Sequence, residues 1–220
     1  MTEQLMVKQE RAARTRDSLI RSAAEVFDRG GSSAASLTLI SAQAGVSNGA
    51  LHFHFASKAS LVDAVGESAL ARLLAVTAGA RQPGQSQVQL LVDATHALAG
   101  ALRADVVLRV GFALSGEASR PVQADLRQHW RHWVERTVKQ AEAGGELRRG
   151  AGAQDAAMAV VAATMGFEVL GTRDAAWLSA PTVAGFWQLL LPALVPAADL
   201  AAIDADGSDG IRALRGARAR

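Results

Sequence analysis

Within residues 36–58 the side chains able to do chemistry are Asn48, His52, His54 and Lys58, with Phe53 set among them. Their chemistry is recognition. An Asn amide pairs bidentately with adenine, a neutral imidazole donates to a phosphate oxygen, and an ammonium neutralises one. The segment holds no Asp or Glu, in a chain that carries 21. Covalent chemistry has little to work with elsewhere. There is no glycine loop for phosphates, no G-x-S-x-G and no HExxH, and Glu117 and Asp125 near two histidines make a weak acid–base group. His129 and His132 have a spacing that a metal could use, but no Cys exists and no carboxylate is clearly placed beside them. We therefore expect no catalytic residues, no cofactor, no metal and no enzyme.

Two short helices must hold these side chains. Ser36 is a good N-cap, followed by apolar Leu37 and Ile40. Ala44-Gly45-Val46-Ser47 then breaks the helix: Gly45 takes positive φ at little cost, and Ser47 caps a second helix from Asn48. Small Ser41 lets the helices approach, and Ile40, Ala44, Val46 and Leu51 form the seam. Helix, tight glycine turn and second helix make a helix-turn-helix, whose second helix enters the DNA major groove. On spacing alone an ordinary helical corner fits equally well. Leu51 and Phe55 read as core; for Phe53 and His54 a packed position stands beside an exposed one.

The run AGVSNGALHFHFASK resembles the DNA-binding signature of TetR-type repressors, AGVS-x-G-x-L-Y-x-H-F-x-S-K, and the match extends upstream through Ile40, Ser36, Ala34, Gly31 and Phe27. The GAL-x-FHF wording, the KQERAARTR lead-in and the late FWQLLLPALVP are most similar to the gamma-butyrolactone receptor branch of Streptomyces-type bacteria. The resemblance implies that Thr38, Ser47, Asn48, Gly49, His52, Phe53, His54 and Lys58 meet DNA. Four positions depart from it, one being Ser32, where an aromatic is usual. His52 stands where the family usually has Tyr, and Asn48 where the branch often has Lys, so the branch's usual operator is in doubt. Ser60 stands where Glu usually completes the capping box begun by Ser57.

Composition points to an all-α chain. Half its residues are apolar, aromatics are few, and no strand-like alternation appears. The formal charge is only +2, so nucleic-acid contact must come from a local surface. Cysteine is absent and the N-terminus does not read as a signal peptide. No stretch approaches the apolar length of a membrane span, the longest being near residues 186–195. We expect a soluble cytoplasmic protein with no membrane partner.

Along the chain, residues 1–7 should be loose and residues 8–29 a helix with a buried face of Leu19, Ile20, Ala23, Ala24 and Phe27. Residues 87–102 form an amphipathic helix with His96 off its buried stripe, expected exposed. Residues 105–114 form a short helix buried nearly all round. Pro121 should open a long helix to Ala143. The last two helices span residues 155–173 and 182–194. We expect a helix-turn-helix domain over 1–56, a larger helical regulatory and dimerisation domain over 57–197, and a disordered tail over 198–220.

Trp130 and Trp133 lie one turn apart, where indoles serve either as core or as the wall of a ligand cavity. In butyrolactone receptors a Trp occupies the place of Trp130, 16 residues before Glu146, and lines the pocket. The resemblance thus implies an effector site at Trp130, with Trp133, Val110 and Leu114 as further lining. It also implies a homodimer joined through the last two helices, released from a pseudo-palindromic operator when a small effector binds. A helical scaffold protein, or an orphan repressor without ligand, is the alternative.

Overall fold

The computed structural model describes residues 2–116 and 124–218, all of whose regular elements are helical. The chain divides into two compact units, residues 1–71 with 106–125 and residues 72–105 with 126–220. The division does not fall at 56/57. An apolar helix that is buried nearly all round needs a second surface, and residues 106–115 find theirs on the N-terminal helix.

In the first unit, α1 (Thr2–Ala34) buries Leu19, Ile20, Ala23, Ala24, Val26 and Phe27. It is helical from Thr2, where a loose end was expected, and it breaks where expected, at Gly31 with φ 78°. Then come α2 (Leu37–Gln43), α3 (Asn48–His54) and the start of α4 (Lys58–Gly79), which runs on into the second unit. Helix α5 (Gln87–Ala104) lies outside this unit, but α6 (Val106–Ser115) belongs to it and packs on α1. Val107, Leu108, Val110, Phe112 and Leu114 are buried, as the run of apolar residues required. Arg109 on α6 meets Asp28 of α1 at 2.9 Å.

The second unit is organised around α5. It is buried on nearly every side because α7 (Leu126–Ala143), α8 (Ala153–Gly171), α9 (Ala180–Leu194) and α10 (Asp209–Arg218) all pack on it. Its first free amides are capped from afar: the Glu146 carboxylate accepts from Gln87 N and Val88 N, both at 2.9 Å. Helix α7 starts at Leu126; Pro121, expected to open it, lies outside the described residues. Its stripe is Leu126, Trp130, Val134, Thr137 and Val138, with Trp133 half-buried at the margin.

Three expectations are corrected here. His96 is 2 % exposed, and its Nε2 bonds the Ala205 carbonyl at 2.9 Å. The reason lies in the supposed tail: residues 200–202 form a 3-10 turn, α10 follows, and Ile211 is 1 % exposed. Composition made this segment look unstructured, but it closes over a polar stripe of α5. Finally, α8 has 19 residues, holds an 18-residue window of mean hydropathy 1.2, and is long and apolar enough to cross a membrane. Here it packs on α7 and carries a buried ion-paired Glu168.

Candidate functional site

Capping fixes the helix-turn-helix residue by residue. Ser36 Oγ accepts from Leu39 N and Ser47 Oγ from Ala50 N, both at 3.1 Å. Between the helices, Gly45 has φ 68°, its amide donates to Ala42 O, and Val46 N donates to Ser41 O. The seam forms as expected: Ile40, Ser41 and Leu51 are buried, Phe55 is 3 % exposed, and Ala44 and Val46 are half-buried. The capping box at α4 is completed without Glu. Ser60 N donates to Ser57 Oγ and Ser57 N to Ser60 Oγ, each at 3.1 Å. A serine hydroxyl reaches back as a longer carboxylate would, so the expectation of an incomplete box is corrected.

At about 100° per residue, α3 divides into two arcs. Ala50, Leu51 and His54 span about 100° and face the unit's core: Leu51 is buried, Ala50 and His54 half-buried. Asn48, Gly49, His52 and Phe53 span the opposite 140° or so, and all are exposed. Phe53 is 83 % exposed, so the packed alternative for it is excluded. Among the described residues its one ring neighbour is His54, centroids 5.2 Å apart and planes 85° to each other. His54 also stands 6.4 Å from the Phe55 ring. Thr38 and Ser47 are exposed. Lys58 is half-buried, and its ammonium donates to Ser33 O at 2.6 Å, which leaves two of its three donors. Arg16 lies over the Phe55 ring at 5.3 Å, tying the basic stretch of α1 to the end of α3.

In the second unit, Trp130 is wholly buried and its Nε1 donates to Thr164 Oγ1 at 2.8 Å. Thr164 donates in turn to the α8 backbone. Trp130 and Trp133 stack, centroids 5.2 Å apart and planes 18° from parallel. One turn away Arg127 meets Glu168 at 2.8 Å. Burial pushes the Glu168 carboxyl above its ordinary value, and Arg127 offsets only part of that. Thus α7 and α8 are joined by two polar rungs in an apolar wall. Val110 and Leu114 are buried on α6, in the first unit. Sequence reasoning passed over Trp187, which is wholly buried with no acceptor for its N–H among the described residues. Nothing in the spacing of FWQLLL marked it; only burial does. His129 and His132 are exposed, and no cluster of metal-ligating side chains occurs among the described residues.

Residues 19–65 match the bacterial regulatory proteins of the tetR family. Over 206 residues the chain is 32 % identical to the A-factor receptor protein of Streptomyces griseus, covering 92 % of this chain and 71 % of that one. This chain belongs to the tetR family. The matched residues run from the buried face of α1 through both capped helices into α4, which is the part whose geometry is described above. Structural likeness extends over most of the chain. A crystal structure of a gamma-butyrolactone receptor, an ArpA-like protein, superposes with a TM-score of 0.77 at 26 % identity, covering 94 % of this chain and 99 % of that one. CprB of Streptomyces coelicolor, solved in complex with its biological operator sequence, gives 0.72 at 28 % identity, covering 87 % and 94 %.

Proposed function

We propose that the chain is a ligand-responsive transcriptional repressor of the butyrolactone-receptor kind, acting in the cytoplasm without catalysis. The observation that carries this reading is the outer arc of α3. Asn48, Gly49, His52 and Phe53 are exposed together on the second helix of a capped helix-turn-helix, in a segment with no acidic residue. Thr38, Ser47 and Lys58 flank that arc and take the phosphate-contacting roles, while His54, half-buried on the inner side of α3, lies behind it. CprB, a relative of similar structure, was solved on its operator. Exposed Met158 and Val169 on α8 and Leu189 on α9, at 64 %, 50 % and 84 %, support a homodimer joined through these helices. Two heads about 34 Å apart then enter successive major grooves of a pseudo-palindromic site.

For the effector, the stacked Trp130 and Trp133 of the second unit supply flat apolar surface. The N–H of Trp130 is already taken by Thr164, whereas that of Trp187 is not. A buried donor without an acceptor costs about 1–3 kcal/mol, which an effector carbonyl placed there relieves. Trp187→Phe keeps the ring packing and removes the donor. We expect it to fold and bind DNA normally, and to need about five- to tenfold more effector for release. An unchanged effector response would remove Trp187 from the site.

The test of the whole reading is a titration against the DNA upstream of its own gene, with and without a butyrolactone. The expected result is saturable binding that weakens steeply with salt and is lost with ligand. Binding that ignores every butyrolactone leaves an orphan repressor; no binding to any duplex at low salt leaves a helical scaffold protein.

A further inference from the structure

We propose that Phe53 reads the 5-methyl group of thymine, so that each half-site of the operator carries an A·T pair under the second turn of α3. This rests on the DNA-binding reading above. Phe53 has neither donor nor acceptor, and in the major groove only thymine offers an apolar group at a base edge. Its side chain is 83 % exposed and lies on the arc turned away from the core. Among the described residues its one ring neighbour is His54, set nearly perpendicular to it, and most of its side chain stays open to solvent.

Gly49 points the same way. It lies one turn before Phe53 on the same arc, and a helical side chain leans over the turn before its own Cα. A Cβ at Gly49 would meet nothing nearer than Ser47 Oγ at 3.9 Å, and its φ is not in the left-handed region. The fold therefore makes no demand for glycine there, although glycine in a helix is less favourable than alanine. Bare backbone at 49 lets a surface outside the protein come close. By that lean the side chain of Phe53 covers the turn that Gly49 leaves bare. A neutral Asn48 on this arc, suited to adenine, fits the same A·T content.

The experiment uses the full chain. Duplexes are selected from a random-sequence library, and each thymine of the best half-site is then replaced singly by deoxyuracil, which removes only the methyl group. At one position per half-site, loss of the methyl should weaken binding about fourfold, as for one buried methyl-sized group. Phe53→Ala, at an exposed position, should melt like the wild type, bind the thymine and deoxyuracil duplexes equally, and keep the salt dependence. The proposal is overturned if the wild type tolerates deoxyuracil everywhere, if Phe53→Ala still discriminates, or if the selected half-site lacks thymine. If no duplex is enriched, the DNA-binding reading itself falls, and this inference with it.

Discussion

Asp93→Ala should cost the protein about 4 kcal/mol and lower its melting temperature by about 10 °C. Asp93 is wholly buried on α5, and its carboxylate accepts four hydrogen bonds. Oδ1 takes Gln89 Nε2 at 3.0 Å and Ser208 N at 2.8 Å; Oδ2 takes Gln85 Nε2 and Ser208 Oγ, both at 2.6 Å. Alanine strands these donors in a largely buried site, and stranded donors are more costly than the bonds themselves are favourable. The damage should be local. Gln89 also exchanges two bonds with the backbone of Asp204, and His96 holds Ala205, so residues 204–208 are fastened at three points along one face of α5. With Asp93 gone, the segment after residue 198 should open before the rest unfolds. Limited proteolysis should then clip it early in the variant and not in the wild type. Equal protection in both would show that this clasp does not hold the segment.

Arg127→Met should cost about 3–5 kcal/mol at neutral pH, and the cost should shrink in acid. Removing Arg127 leaves a buried carboxylate unpaired, because the Glu168 side chain is only 3 % exposed. The direction with pH follows from the raised pKa of Glu168. The folded state holds this proton more tightly than the unfolded state, whose carboxyl titrates near 4.5. Between that value and the folded pKa the native protein binds more protons, so stability falls as pH rises through this window. Desolvation raises the pKa, and the Arg127 charge and hydrogen bond restrain it. Without Arg127 the pKa rises further and the window widens upward. Urea melts at pH 5 and pH 8 should therefore show a small deficit at the first and a large one at the second. Arg127→Met with Glu168→Gln should recover most of the loss, since no charge is then buried. A deficit independent of pH would mean that packing, not the ion pair, was lost. The same rung lies one turn from Trp130–Thr164, so a weakened pair should also loosen the wall assigned to the effector.

The head of the molecule was legible in the sequence because its determinants are local. Ser36, Gly45 and Ser47 act on backbone groups within a few residues of themselves, through caps and one left-handed turn, and the structure shows each of them doing so. The periodic apolar face of α1 and the all-apolar α6 were equally readable, since spacing alone fixes which side is buried. Ser60 shows the limit of local pattern matching: its hydroxyl completes a box in which a carboxylate was expected.

What tertiary structure alone decided involves partners distant in sequence. Residues 198–218 have few large apolar side chains among Ala, Asp, Gly, Ser and Arg, and composition gave no sign of order. They are folded because α5 offers Gln89, Asp93 and His96 at helical spacing, 115 residues before Asp204 and Ser208 in the two cases that join them. The same distance effect made His96 look exposed when it is buried. Glu146 caps a helix 59 residues earlier, and Glu168 finds Arg127 across 41. On α3, spacing named the polar candidates, but only burial separated the inner His54 from the outer Phe53. A helix has two sides whatever its sequence, and which one faces outward is set by what packs on the other.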